Sequence, residues 1–324
     1  MTQPPSRAQL IRQARAQATR PHRLLTLLCV AGVFAATCAP WALVWGSKAH
    51  LLWVLPVGTL GALWTTLLMH ECAHGAFARP LWLQGCIGWL AGVLGVCPYG
   101  SYKRGHQAHH RWAGNPAKDP TPAPQTPPAP NPALNLLLRL ECVPLLYLGG
   151  VWWPYASYDL RPTAHTRRAR AVASWGLSMA ATVAYAALLG WLAPWALAAA
   201  GACWWLAACV YERVFTIHHH VGLQATPAHK TRYTLTEQMN FARSIPWRHN
   251  RWFFHFTLHK AHHFAPSEHH SVLPHLSALI QTHYPAQWSN TNPHWDFAKR
   301  HQPFHQLLTP HPHDPHDTSL RTPP

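Results

Sequence analysis

Histidine dominates the chemistry available to this chain. His70-Glu71-Cys72-Ala73-His74 follows directly on an apolar run, and His106-Gln107-Ala108-His109-His110 lies in a basic, polar setting. His259-Lys260-Ala261-His262-His263 repeats the second pattern far downstream. On a helix, positions i, i+3 and i+4 share one face, so each cluster can turn its imidazoles toward a common ion. The clusters supply two, three and three histidines, eight in all. One zinc ion cannot use that many, and eight are enough for two metals.

The acidic residues narrow the chemistry further. Only 10 Asp and Glu are present, so a carboxylate-rich di-iron bundle cannot be built and histidine must carry the coordination. Imidazole suits iron, zinc, copper and nickel alike. Glu71, Asp119, Glu212, Glu237 and Glu268 lie nearest the clusters. Each could orient a ligand from behind, and a solvated surface position is its default reading. His70 to His74 taken alone also matches HExxH, the zinc protease signature in which glutamate is the general base. A membrane zinc protease and a non-catalytic metal-binding membrane protein are therefore rival readings. The protease needs one further ligand and a water, which leaves two HxxHH clusters without a purpose. Chance spacing in a chain with 27 histidines is the bland alternative, weakened by three clusters that each border a hairpin or a linker.

The elements that must position these clusters are membrane helices. Apolar residues gather in runs of about 20, the length needed to cross a bilayer: Leu24 to Trp45, Leu51 to Met69, Leu81 to Cys97, Leu134 to Tyr158, Val172 to Gly190 and Trp191 to Tyr211. The formal charge of +16 does not point to nucleic acid. Basic residues precede the first run (Arg7, Arg12, Arg15, Arg20, Arg23), surround the second cluster (Lys103, Arg104, Arg111, Lys118) and recur at Arg161, Arg167, Arg168 and Arg170 and from Arg213 onward. Only Lys48 lies between the first two runs. This is a positive-inside distribution, with the histidines on the cytosolic side. The first run reads as an uncleaved anchor rather than a signal peptide, because it continues to Trp45. The eight cysteines sit in or beside apolar runs without C-x-x-C spacing and read as small buried hydrophobes.

Parity then sets the topology. Clusters that share one centre must reach the same side, so an even number of crossings separates them. Leu81 to Cys97 is a lone run between the first two clusters and is expected to be re-entrant or interfacial. Leu134 to Tyr158, interrupted by Arg139, Glu141, Pro144 and Pro154, is expected to be peripheral. Two hairpins remain, giving an all-α integral membrane fold of about four transmembrane helices with a cytosolic His-rich cap. Residues 7 to 20 read either as a basic helix on an anionic membrane surface or as a frayed tail. Residues 115 to 132 read as a proline-rich extended linker. Residues 1–300 form a single domain and 301–324 a disordered His/Pro-rich tail, with metal capture by that tail as a minority reading.

At these residues the chain resembles the integral membrane fatty acid desaturase superfamily, whose mark is three histidine boxes around a non-haem di-iron centre. His70-Glu71-Cys72-Ala73-His74-Gly75 looks like its first box and Gly105-His106-Gln107-Ala108-His109-His110-Arg111 like its second, with Asp119-Pro120 also fitting. His220-Val221-Gly222-Leu223 resembles an H-x-G-L segment that contributes a further ligand. His259 to His263, with Pro266 and then Leu273-Pro274, is similar to the third box. The resemblance covers roughly residues 60 to 280. It implies two irons held by His70, His74, His106, His109, His110, His220, His259, His262 and His263, with His220 preferred within the triple His218-His219-His220. It further implies O2-dependent oxidation of an unactivated C–H bond in a lipid acyl chain, most simply desaturation. Hydroxylation or ketolation of a lipid or carotenoid is the near alternative. Saturated carbon has no useful acidity, so side-chain bases cannot attack it. No haem- or flavin-binding signature is present, so a separate ferredoxin or cytochrome b5 type donor is expected to meet the basic cytosolic face. The family often carries Asn two residues before the third box, where this chain has Thr257, with His255 nearby. The pair His269-His270 lacks an upstream histidine at the box spacing and is left outside the ligand set.

Overall fold

Helix α3 (Leu51–Ala73) is the post against which the apolar helices Arg23–Gly46, Leu81–Leu94 and Pro194–Val210 lean. Small residues let its neighbours approach. A Cβ on Gly61 would come within 2.6 Å of the Ala36 backbone of α2 (Arg23–Gly46). Between the same two helices the buried hydroxyls of Thr37 and Thr65 meet at 2.8 Å. Close approach through small residues and interhelical hydrogen bonds is how helices pack where the hydrophobic effect between them is absent. This computed structural model of the protein describes residues 4–19, 23–46, 51–115, 118–120, 153–161, 168–211, 217–220, 239, 241–245 and 247–285. Among these, every regular element is helical.

After α3 the chain forms α4 (Leu81–Leu94) and α5 (Tyr99–Trp112), then α6 (Trp153–Ala156) and a 3-10 turn at Tyr158–Leu160. The long α7 (Arg168–Leu192) follows, with α8 (Pro194–Val210) and the single turn α9 (Ile217–His220). A 3-10 turn at Asn250–Phe253 leads into α10 (His259–Phe264), a further 3-10 turn at His270–Val272 and α11 (Leu273–His283).

Among the described residues two single helices are long and apolar enough to cross a membrane, Trp53–Ala73 and Arg168–Trp191. Four crossings were expected from the apolar runs. Thr26–Cys38 and Pro194–Val210 are apolar but shorter, and Pro194 begins a new helix where Ala193 leaves helical geometry. Its 17 residues span about 25 Å at 1.5 Å per residue, short of a hydrocarbon core of about 30 Å. α4 and α5 form a pair bent by 104°, the geometry of a broken span or a re-entrant segment. The bend is built at its corner: Val96 takes φ 54° and the Cys97 amide donates to the Gly92 carbonyl at 2.8 Å. The Tyr99 ring fills the space that Gly88 leaves without a side chain, and its hydroxyl donates to the Cys72 carbonyl at 2.9 Å. The second cluster is thereby hung from the end of the first.

The basic N-terminal segment is a helix rather than a frayed tail, and its apolar side faces protein. α1 (Arg7–Gln17) is capped by Ser6 in a reciprocal capping box with Gln9 and is docked on the cap. Its apolar side, Leu10 and Ala14, is fully buried against Ala261, Phe264, Leu273, Leu276 and Ile280. Arg15 grips the buried Glu268 with two hydrogen bonds, and the Tyr284 hydroxyl donates to the Pro5 carbonyl at 2.8 Å. A helix with apolar positions four residues apart buries them wherever an apolar surface is offered, and α10 and α11 offer one. The greater part of the run from Leu134, most of the proline-rich stretch, Glu212, Glu237 and the tail 301–324 lie outside the described residues.

Candidate metal centre

Four helices deliver the histidines. α3 carries His70 in its last turn, and His74 follows in the turn that Gly75 closes at φ 71°. α5 carries His106, His109 and His110; α9 carries His219 and His220; α10 carries His259, His262 and His263. All nine histidines implied by the resemblance come together.

They fall into two sets. His70, His74, His106, His110 and His262 each bring one ring nitrogen within 4.8 Å of all the others, and His109, His220 and His263 do the same. The sets are neighbours, with the His110 and His263 rings 4.1 Å apart. In the first, the His110 Nε2 lies 3.1 Å from the His106 Nε2 and 3.0 Å from the His262 Nε2. In the second, the His259 Nε2 lies 2.9 Å from the His220 Nε2 and 3.2 Å from the His263 Nε2, which attaches His259 to that set. Two imidazoles bound to one ion at about 2.1 Å and a right angle hold their nitrogens about 3.0 Å apart. The inward spacing therefore matches ligands converging on an ion. Within each set no carboxylate takes part.

The outer ring nitrogens are held in a complementary way. With its proton on Nδ1, His109 donates to both oxygens of Asp119, at 2.9 and 3.1 Å, and the Gly114 amide steadies the same carboxylate at 2.9 Å. His220 meets the Phe241 carbonyl through Nδ1 at 2.9 Å, and His70 meets Glu71 through Nδ1 at 3.1 Å. Such partners fix the tautomer and leave Nε2 as a lone pair facing inward. The Nε2 atoms of His70 and His74 are buried with no hydrogen-bond partner among the described residues. Burial lowers the His220 and His262 pKa values to about 3, with the neighbouring His109 adding to the effect. His74, His259 and His263 are pushed well below the ordinary imidazole range, again by burial first and neighbouring histidines second. These five rings are thus neutral near pH 7, the form that binds a metal. Orphaned nitrogens, neutral rings and outward anchors all fit two soft-to-borderline cations.

Several other residues find places that the sequence did not supply. Tyr102 stacks on His106 at 5.4 Å and 8°, Tyr155 sets its edge against the same ring at 5.6 Å, and Phe256 sits edge-on to His70 at 4.8 Å. Asp159, whose side chain is fully buried, takes the Arg104 guanidinium in a bidentate pair and so braces α5 from behind. No spacing rule links Asp159 to a histidine box; its only sequence signal is a lone acid after an apolar run. Thr257 bonds the buried Asn250 side chain, so an Asn stands beside that position although it comes from seven residues upstream. His270 falls outside both sets, with its Nδ1 3.8 Å from Glu71. Glu268 serves Arg15 rather than a histidine.

The family described as fatty acid desaturase matches residues 58–295. An sn-1 oleoyl-lipid 12-desaturase of a Picosynechococcus species is 30% identical over 133 residues, covering 40% of this chain and 35% of that protein. An acyl-lipid omega-3 desaturase (cytochrome b5), endoplasmic reticulum, of Arabidopsis thaliana is 25% identical over 209 residues, covering 60% of this chain and 50% of that protein. A Delta(12) fatty acid desaturase of Mortierella alpina is 30% identical over 74 residues, covering 23% of this chain and 18% of that protein. The matched stretches span half or less of these relatives' own lengths.

Proposed function

The chain belongs to the fatty acid desaturase family, and on that premise we propose that it is a membrane oxidoreductase that desaturates a lipid acyl chain at two irons held by its histidines. His70, His74, His106, His110 and His262 would hold one iron, and His109, His220, His259 and His263 the other. The single observation that carries this reading is the convergence of imidazoles from α3, α5, α9 and α10 into two adjoining all-nitrogen sets. Bound iron would supply the oxidising power with O2 as oxidant. For each double bond formed, one O2, two electrons and two protons are consumed and two waters leave.

The chain's own residues bind, orient and exclude water. Asp119 and the Phe241 carbonyl hold His109 and His220 in the ligating tautomer. Phe256, Tyr102 and Tyr155 wall the rings with apolar surface, which keeps water from competing at the reacting carbon. The histidines lie at the end of α3, where a chain drawn from the bilayer can reach them, and the basic flanks support a cytosolic side for that end. The two electrons come from a separate acidic carrier; the cytochrome b5 in one relative's name is in keeping with such a donor. Glu71 bonds the outer nitrogen of His70, away from the convergent face. That supports an orienting role over the general base of a zinc protease.

Metal analysis and lipid profiling test the reading together. Purified protein is expected to hold close to two irons per chain. Cells expressing it are expected to gain unsaturated acyl chains that cells expressing His109→Ala lack. A single zinc per chain, or identical lipid profiles, overturns the proposal.

A further inference from the structure

The outward side of α3 carries an apolar stripe. Trp53, Val57 and Leu60 are 74%, 49% and 36% exposed and share one face of the helix, and Trp64 continues that face. The Trp64 indole donates to the Trp252 carbonyl at 2.9 Å. The cap therefore reaches down to the membrane helix at this point and ends the stripe with the turn at Asn250–Phe253.

That turn has two faces. Asn250 is buried, and Phe253 and Phe254 pack into the main core. Trp247, Arg248, His249, Arg251 and Trp252 are all exposed. The outer side chains brace one another: Trp247 stacks on Phe253 at 5.2 Å, and the Arg251 guanidinium lies 5.4 Å from the Trp252 ring centre. Among the described residues neither Arg248 nor Arg251 is paired with a carboxylate. Trp64 precedes His70 by six residues, about 9 Å along a helix. The patch thus lies on the bilayer side of the histidines, where tryptophan and arginine belong among headgroups and phosphate is the abundant counter-charge.

We propose that Trp247–Trp252 is a docking site for the phosphate of an anionic phospholipid, whose acyl chain lies along the Trp53–Val57–Leu60 stripe. An acidic protein would satisfy the two arginines but not the apolar face that runs from them into the membrane. A phospholipid satisfies both. The inference goes beyond the oxidation chemistry and rests only on α3 crossing a bilayer.

Full-length protein in detergent would be titrated with dioleoylphosphatidylglycerol and, separately, dioleoylphosphatidylcholine, with bound lipid read by native mass spectrometry. Each arginine near a phosphate is worth a factor of about five, so the Arg248→Gln, Arg251→Gln double variant should lose roughly 30-fold in affinity for the anionic lipid. Binding of the zwitterionic lipid, whose choline offsets the charge of its own phosphate, should fall much less, and the Arg248→Lys, Arg251→Lys variant should retain most of the preference. Equal lipid affinities in wild type and the Gln variant overturn the proposal. So does displacement by millimolar inorganic phosphate as complete as by the lipid itself, which marks a simple anion site. Unchanged lipid binding with a raised KM for the electron donor overturns it in favour of a protein partner. Metal content, measured on the same samples, reports on the oxidation reading separately. If wild type holds no iron, that reading fails while the titration still decides this one.

Discussion

Asp119 holds His109 from behind, with both carboxylate oxygens within 3.1 Å of the ring's Nδ1. The same carboxylate takes the Gly114 amide, where the chain turns at φ 75° just after α5. One acid thus fixes a ring's tautomer and closes the helix that carries it. Removing such an outer partner typically weakens metal binding 10- to 100-fold. Asp119→Ala is expected to lower cobalt affinity by about that factor at one of two sites and to leave the other near its original value. Two-phase titration of the cobalt absorption spectrum checks this, and an equal loss at both sites would point to general unfolding instead.

His220 tests the second set directly. It is the member that contacts both the Phe241 carbonyl and His259, at 2.9 Å each. His220→Ala should leave the five-histidine set intact and lower iron content from about two toward one per chain. Elemental analysis that still finds two irons would remove His220 from the ligand set.

What the sequence made legible and what it did not follow from range. The three clusters were readable because a helix places i, i+3 and i+4 together whatever surrounds it. His220 needed the family resemblance, because nothing local separates it from His218 and His219. Asp159 and Tyr155 approach α5 from some 50 residues away in sequence, and no periodicity carries that information. Parity alone gave the expectation that Leu81 to Cys97 is re-entrant or interfacial, and the 104° bend between α4 and α5 is a geometry that allows it. The docking of α1 was not expected, because its apolar side could have met lipid as readily as α10 and α11. Apolar composition marks a run, but breaks such as Ala193-Pro194 set how far each helix reaches, and among the described residues two helices, or three with the bent pair, are long and apolar enough to cross.

Helix packing gives a matched pair of substitutions. Gly61 faces the Ala36 backbone so closely that a Cβ would sit 2.6 Å away, whereas a Cβ on Gly32 meets nothing within 4 Å. Backbone cannot step aside as a flexible side chain can. Gly61→Ala is expected to destabilise the protein by about 1–3 kcal/mol, the usual cost of overpacking. Gly32→Ala should be neutral or slightly stabilising, because alanine is the better helix former. Thermal unfolding in one detergent compares them, and equal Tm values would contradict the close approach.

The N-terminal helix should matter to the third box although it lies more than 240 residues away. α10 has only six residues and no side-chain cap, so it depends on neighbours. Leu10, fully buried beside Ala261 and Phe264, is one of them. Leu10→Ala should cost about 2–5 kcal/mol, as large-to-small core changes do. The loss should appear as faster proteolysis of the cap, with the spans left intact. A variant as resistant as wild type would show that α1 is not a support.

The neutral histidines fix the direction of the pH dependence. In the folded protein His220 and His262 titrate at about 3, chiefly because they are buried. Released from the fold they would titrate near 6.5. As pH falls below about 6.5 the unfolded chain takes up protons that the folded chain refuses, so stability drops until the folded values are reached. Asp119, beside His220, opposes the shift and Arg243 reinforces it, but neither outweighs burial. Metal-free protein should therefore show a Tm that is level from pH 8 to about 6.5 and then declines steadily toward pH 5. Each such histidine contributes up to about 1.4 kcal/mol per pH unit in that window. A Tm that stayed level down to pH 5 would mean that these rings reach water, and the dry, convergent site described above would not exist.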